Sequence, residues 1–215
     1  MKRYFLACVA MAVVFGISAA AVRADDIYLP PWERGLPNTT QQAWTFTSDT
    51  NPLSPDEGFF NPNGTPLLTI TGTGNVWNAL YDNHVGVWTL GGDDSSMALG
   101  IPNTPRDDSR HKELWTQITW QPESNDEPAP VVVVNGIQSL PVTTYSMGND
   151  GWFLSVYDTV LQYNPSYETV IVTGSYDLGQ IVVDTQCVPE PTTLGLLTMG
   201  VFGLAAFVWR RKRSA

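Results

Sequence analysis

Two pairs of adjacent aspartates stand in segments rich in turn-forming residues. Asp93 and Asp94 follow two glycines, and Asp107 and Asp108 follow a segment that contains two prolines. Carboxylate oxygens carried on loops are the ligands that Ca²⁺ prefers in proteins. Calcium is therefore a candidate cofactor at these four residues, although neither pair has the spacing of an EF-hand. The alternative is that they are solvated loop acids and that the protein uses no cofactor.

Aromatic side chains are a second group with a chemical use. The chain has 8 Trp and 8 Tyr residues, and an exposed indole ring offers a flat surface on which a sugar ring can stack. We predict Trp77, Trp88 and Trp115 as candidate glycan-binding residues, with core packing as the alternative for each. Trp115 and Trp120 have opposite parity along one predicted strand, so at most one of them lies in the core.

The sequence lacks the motifs of common catalytic mechanisms. It has no Gly-x-Ser-x-Gly nucleophile elbow, no His-Glu-x-x-His motif and no complete dinucleotide fingerprint. His111 and Glu113 are close enough to share a metal, but we interpret them as surface residues at the start of a strand. A glycoside hydrolase needs two carboxylates, and in so acidic a chain some pair is inevitable. We therefore predict a protein that is not an enzyme, with a secreted glycoside hydrolase as the alternative.

The charge of the body excludes one class of partner. Between Asp25 and Asp184 there are 20 acidic residues and only four basic ones. Nucleic acid phosphates would repel such a surface, so we predict no nucleic-acid binding. The positions of the two cysteines limit the disulfide bonds that the protein can form. Cys8 lies in the N-terminal apolar run, and Cys187 is alone in the rest of the chain. A framework of disulfides is therefore excluded.

The segment from residue 25 to residue 187 reads as short strands separated by turns. β-branched and aromatic residues dominate each strand-like run, and Asn-Gly, Gly-Gly and Pro-Asn sequences separate the runs. We predict an all-β body, an antiparallel β-sandwich with jelly-roll-like connectivity. The nine predicted strands are 44–47, 67–71, 85–90, 114–120, 131–134, 142–145, 152–161, 169–173 and 180–185.

The N-terminus has the pattern of a secretory signal peptide. Lys2 and Arg3 precede an apolar run that extends to about Val22 and is followed by small residues and two aspartates. Such a segment forms a short helix and is removed after export. We predict a signal peptide over residues 1–24, with cleavage between Ala24 and Asp25.

The C-terminal region has three parts, which begin with the prolyl motif Val188-Pro189-Glu190-Pro191. Residues 192–209 follow as an uncharged apolar run, long enough as a helix to span the hydrocarbon core of a membrane. Residues 210–215 form a basic tail that should remain cytoplasmic. The basic residues of this tail are Arg210, Arg211, Lys212 and Arg213.

These three parts, at residues 188–215, together resemble the PEP-CTERM sorting signal. The resemblance implies that exosortase, a membrane cysteine protease-transpeptidase, recognises the motif and releases or transfers the body. The same region is sometimes labelled an ice-binding-protein C-terminal domain, which implies nothing about ice. The body is similar to uncharacterised exosortase-tagged proteins of planctomycete-like bacteria. This second resemblance is carried by residues 113–120, 150–152, 181–185 and 187–189.

The sequence therefore predicts an exported protein that is held for a time in the inner membrane by its C-terminal helix. The final location is the cell envelope or the extracellular matrix, and the partners are an exosortase-like protease and exopolysaccharide. A non-catalytic matrix protein is the leading interpretation of the body. A glycan-binding module, with or without calcium, and a secreted glycoside hydrolase are the alternatives.

Overall fold

Between residues 27 and 189, the residues that the structure describes form strands and loops. The computed structural model describes residues 27–82, 84–92, 94–123, 127–189 and 200. The strands are β1 (Thr39–Trp44), β2 (Glu57–Phe60), β3 (Leu67–Thr71), β4 (Val76–Tyr81), β5 (His84–Thr89), β6 (Ser96–Pro102), β7 (Arg110–Pro122), β8 (Val131–Val134), β9 (Ile137–Ser139), β10 (Pro141–Ser146), β11 (Phe153–Leu161), β12 (Tyr167–Thr173) and β13 (Tyr176–Pro189).

The strands form two antiparallel sheets. The larger sheet has eight strands in the order β10-β11-β7-β13-β1-β2, with β5 also paired to β13 and β4 paired to β5. The smaller sheet has five strands in the order β3-β6-β12-β8-β9. The predicted all-β, antiparallel class is therefore confirmed. The jelly-roll-like connectivity stays a prediction.

The hydrophobic core lies between the two sheets. The larger sheet contributes Leu114, Ile118 and Ile181, and the smaller sheet contributes Leu99 and Val170, all of them fully buried in one cluster. Alternation along each strand produces this arrangement, because every second side chain points to the same face. A sandwich of two layers follows from this shared core.

The first strand ends earlier than the sequence predicted. We expected a strand over residues 44–47, whereas β1 ends at Trp44. Phe46 has a positive φ of 56°, which no regular strand contains. The carboxylate of Asp56 holds this turn, because its two oxygens accept the backbone N–H groups of Thr45 at 2.7 Å and Thr47 at 3.0 Å. Hydrogen bonds to a side chain that lies nine or more residues away in sequence thus take the place of strand pairing after Trp44.

Several predicted features lie outside the described residues. They are the signal peptide with its Ala24–Asp25 cleavage site, Glu190 and Pro191 of the prolyl motif, the helix at 192–209 and the basic residues 210–213. In the part of the chain that the structure describes, no helix has the length and hydropathy needed to cross a membrane.

Candidate functional site

The prolyl motif begins inside the last strand of the larger sheet. β13 continues to Pro189, and its final pairs are Val188 with His111 and Pro189 with Arg110 of β7. One residue earlier, the backbone N–H of Cys187 is donated to the carbonyl of Asn38 at 2.9 Å. The first two residues of the motif are therefore a direct extension of a strand that has neighbours on both sides.

The outer face of the larger sheet carries a row of polar and aromatic side chains. Trp115 of β7 is paired with Asp158 of β11 on one side and with Asp184 of β13 on the other. Gln41 of β1 is the next residue across, paired with Asp184. Side chains directly opposite one another on adjacent strands stand about 5 Å apart. We call these four residues the Trp115 row.

The two carboxylates of the Trp115 row have different environments. Asp184 is fully buried, and both of its oxygens accept hydrogen bonds from Arg34, at 2.7 and 2.6 Å. Asp158 is exposed to solvent on the outer face. Neighbouring groups still remove part of the water around its carboxyl group, and this partial desolvation together with repulsion from Glu113 raises its pKa. Asp184 thus has a structural ion pair, whereas Asp158 presents its oxygens to solvent.

The segment before β1 lies across this face. The indole N–H of Trp115 is donated to the carbonyl of Tyr28 at 2.9 Å, and the backbone N–H of Tyr28 is donated to Gln117 at 3.1 Å. The ring of Tyr28 stacks on that of Tyr145 with centroids 4.2 Å apart and planes at 8°. Trp115 is consequently half-buried, with one edge fixed by backbone contacts.

The other two predicted glycan-binding tryptophans are parts of the packed structure. Trp88 is only 7% exposed and belongs to the core, so it has no free ring face for a sugar. Trp77 packs against the core and donates its indole N–H to the carbonyl of Phe46 at 2.8 Å. Trp115 is therefore the one of these three residues that lies among polar groups on the outer face. The opposite parity of Trp115 and Trp120 is confirmed, because Trp120 is the one in the core.

The second aspartate pair is engaged in local contacts. Asp107 accepts hydrogen bonds from the backbone N–H and the hydroxyl of Ser109, at 2.9 and 2.6 Å, which lowers the pKa of its carboxyl group. Its other oxygen lies 3.1 Å from Arg110. Asp108 pairs with Arg106 at 2.8 Å in an exposed contact.

The first aspartate pair is described only in part. Asp94 accepts a hydrogen bond from the hydroxyl of Thr73 at 3.1 Å, and Asp93 lies outside the described residues. Within the described ranges, no group of three or more acidic, histidine or cysteine side chains gathers in a metal-binding arrangement. Calcium binding stays a prediction.

A further cluster was missed from the sequence, although a signal for it exists. Lys112 has the same parity in β7 as Leu114 and Ile118, which places it on the inner face, and its side chain is 1% exposed. It pairs with the fully buried Glu168 at 3.2 Å. The inward parity of a lysine in an apolar pattern predicts a buried partner, because a lone buried charge is very costly.

The comparisons with known proteins identify the C-terminal segment. Residues 188–213 match the PEP-CTERM protein-sorting motif. The match confirms the sequence prediction for this segment and supports an exosortase substrate that is exported and sorted while anchored in the membrane. The ice-binding label and the similarity of the body to planctomycete-like proteins stay predictions.

Other comparisons add little about the body. No curated protein matches the chain. A solved exo-β-1,3-galactanase from Phanerochaete chrysosporium, determined with β-1,3-galactotriose, is 15% identical over 53% of this chain, with a TM-score of 0.37. The chain spans about a quarter of that enzyme, since the match covers 26% of its length. A similarity of this size supports no inference about activity.

Proposed function

We propose that this chain is an exported, non-catalytic protein of the cell envelope or extracellular matrix that exosortase detaches from its membrane anchor. The observation that carries the proposal is the sorting motif at residues 188–213, which begins within β13. Because the motif extends a strand of the larger sheet, the body stands immediately beside the segment that exosortase engages. The acidic surface favours solubility outside the cell.

Replacing Pro189, Glu190 and Pro191 with alanine tests the sorting role. We expect the variant to accumulate uncleaved in the inner membrane, because exosortase has lost its recognition segment. Cell fractionation and mass spectrometry of the C-terminus measure the outcome. The matched control replaces Glu127 and Pro128, a Glu-Pro pair in the loop between β7 and β8, and should be processed normally. Normal release of the triple variant contradicts the sorting role.

Binding of a polysaccharide through the Trp115 row is the second candidate function. The half-buried indole ring of Trp115 lies beside the exposed carboxylate of Asp158, which combines a stacking surface with an acceptor for sugar hydroxyl groups. The amide of Gln41, two strands away from Trp115 in the same row, adds a donor and an acceptor. Exopolysaccharide is the ligand class that we propose, with calcium as an optional bridge. The predicted hydrolase is the competing interpretation of the same carboxylates.

A glycan array with and without EDTA tests this candidate. For any glycan that binds, Asp158→Ala should weaken binding about tenfold, because it removes a charged hydrogen-bond acceptor. The control is Asp49→Ala, which removes an exposed carboxylate from the loop between β1 and β2. Binding that disappears in EDTA supports the calcium bridge. Absence of binding in every condition contradicts the glycan proposal, and release of reducing sugars from a bound glycan supports the hydrolase instead.

A further inference from the structure

Five polar side chains close one end of the core between the two sheets. We call them the Lys112 cluster, and they are Lys112, Glu168, Cys187, Asn103 and Asn164. Lys112 of β7 and Cys187 of β13 are directly opposite each other across the strand pair. Glu168 reaches them from β12 of the smaller sheet. Lys112, Glu168 and Cys187 are 1%, 0% and 4% exposed, so bulk water does not surround any of them.

The contacts in the cluster bring an amine and a thiol together. Lys112 Nζ lies 3.4 Å from Cys187 Sγ and 3.2 Å from Glu168 Oε1. The thiol points to Asn164 Oδ1 at 3.0 Å, and Asn103 Nδ2 donates to Glu168 Oε1 at 2.7 Å. Glu168 Oε2 is buried and has no hydrogen-bond partner among the described residues.

The carboxylate of Glu168 gives the cluster a proton acceptor beside the amine, because its Oε1 lies 3.2 Å from Lys112 Nζ and its Oε2 has no partner among the described residues. Burial raises the pKa of Glu168 above its ordinary value, which makes its carboxylate a better acceptor for a proton from the Lys112 ammonium group. Transfer of that proton leaves a neutral amine, and a neutral amine is the reactive form of lysine. An unpaired acceptor, an amine and a thiol thus meet in a site closed to bulk water.

We propose that Lys112 and Cys187 are a covalent modification site, at which dioxygen joins Nζ to Sγ through a single oxygen atom. One N–H bond and the S–H bond break, and an N–O bond and an O–S bond form. The nitrogen and the sulfur are each oxidised by two electrons. Dioxygen takes up these four electrons, so that one of its atoms enters the bridge and the other leaves as water with the two hydrogens.

The geometry favours this bridge over two other products. A direct N–S bond would require the two atoms, now 3.4 Å apart, to approach more closely than an inserted oxygen requires. An isopeptide bond to Asn103 would release ammonia. However, Lys112 donates to the thiol and contacts the carboxylate, with no hydrogen bond to either asparagine in the described structure.

The bridge would fix the sheet beside the sorting motif. Cys187 is the residue immediately before Val188, and Lys112 lies 75 positions earlier in the chain. A covalent link between β7 and β13 at this point removes freedom from the unfolded chain, as a disulfide does. It also prevents the end of β13 from peeling away from its neighbour while exosortase handles the adjacent segment.

Mass spectrometry of the intact mature protein, purified after export and processing, tests the proposal. Protein purified in air should be about 14 Da heavier than protein kept anaerobic with a reductant, because it gains one oxygen and loses two hydrogens. Trypsin should no longer cleave after Lys112, so one peptide that begins at His111 should contain both Lys112 and Cys187, because no Lys or Arg lies between residues 112 and 210. Fragmentation of this peptide should show the added mass on the internal link between the two side chains. Reduction should reverse the change and lower the Tm by about 5 °C.

Cys187→Ser and Lys112→Arg are the variants for comparison, and each should show one mass in air and under reductant. The measurement on the unaltered protein does not depend on whether they fold. An unchanged mass in air overturns the proposal. A loss of about 17 Da identifies the isopeptide bond instead, and oxygen found on Cys187 alone identifies ordinary thiol oxidation. Each of these last two results also overturns it.

Discussion

Three buried ionisable side chains, Tyr157, Lys112 and Glu168, make specific polar contacts in or beside the core. Tyr157 is fully buried and donates its hydroxyl to the carbonyl of Pro130 at 2.6 Å. Burial raises the pKa of Tyr157 well above its ordinary value. Lys112 and Glu168 are an ion pair that bridges the sheets. Tyr157 is stable only as the neutral phenol, because its surroundings cannot solvate a phenolate.

The first residue-scale prediction concerns Tyr157 at alkaline pH. Above about pH 10 the unfolded chain loses the tyrosine proton, whereas the folded protein keeps it, so stability falls as pH rises. Tyr157→Phe should therefore show a shallower loss of stability between about pH 9.5 and pH 11. Urea unfolding across this range measures the slope. The control is Tyr167→Phe, at a ring that is 51% exposed, and an identical slope in both variants would refute the expectation.

The second residue-scale prediction concerns the ion pair. Glu168→Gln leaves the buried ammonium group of Lys112 without its countercharge, and removing one partner of a buried pair costs about 3–5 kcal/mol of unfolding free energy. Asp108→Asn breaks the exposed pair with Arg106 and should change stability by about 0.5 kcal/mol or less. Denaturant midpoints compare the two variants. Equal effects would show that Lys112 finds a new partner or loses its proton.

At the scale of elements, the backbone of strand β5 lies very close to the turn after β1. Gly86 has a φ of +73°, and a Cβ atom there would stand 2.3 Å from the carbonyl oxygen of Phe46. The same oxygen accepts the indole N–H of Trp77. The β4–β5 hairpin can therefore approach the turn after β1 only because residue 86 has no side chain.

Gly86→Ala should consequently be among the more damaging small substitutions. It combines an unfavourable backbone conformation with a clash against main-chain atoms, and we expect a loss of more than about 3 kcal/mol. Gly136→Ala is the matched control, because Gly136 has a φ of +84° but open space around its Cβ position. Its expected cost is about 1 kcal/mol. Thermal unfolding of both variants separates the clash from the backbone strain.

The elements also show what local sequence can and cannot predict. Continuous β-branched runs such as Val131–Val134 predict their strands correctly, because alternation and propensity are local properties. β6 was missed, since Ser96–Pro102 contains alanine, methionine and glycine and gains its order from pairing with β3 and β12. The early end of β1 depends on Asp56, a contact that no local pattern contains. The Trp115 row required the register of four strands, which only the folded sheet reveals.

On the scale of the whole molecule, each of the four basic residues of the body forms an ion pair with an acidic side chain. Arg34 and Lys112 face the buried carboxylates Asp184 and Glu168, and Arg106 and Arg110 face the loop acids Asp108 and Asp107. Between Asp25 and Asp184 there are 20 acidic residues against these four basic ones, so most of the negative charge of this segment is not balanced by a basic side chain within it. Mutual repulsion of these acids destabilises the compact state.

Salt should therefore stabilise the body. Raising NaCl from about 0.02 M to about 0.2 M should increase the Tm by roughly 3 °C, since shorter Debye lengths screen the repulsion. Ca²⁺ and Mg²⁺ at equal ionic strength should act alike if the loop acids are merely solvated. A larger shift with Ca²⁺ alone would support a specific calcium site. A Tm that is independent of salt would show that the acidic charges are too far apart to interact.

The position of β13 also sets the order of events during synthesis. This strand follows every other described strand in the chain, yet it pairs with β7, β1 and β5. The larger sheet therefore stays incomplete until residues 176–189 have left the ribosome and crossed the membrane, and contacts between β1 and β13 span more than 140 residues. Val188 and Pro189, the start of the sorting motif, are the last residues of that strand. A chain that breaks off before residue 176 lacks the strand on which its neighbours depend, and β13 is complete only when the first two residues of the motif are present. The last strand of the sheet and the start of the sorting motif are therefore made together.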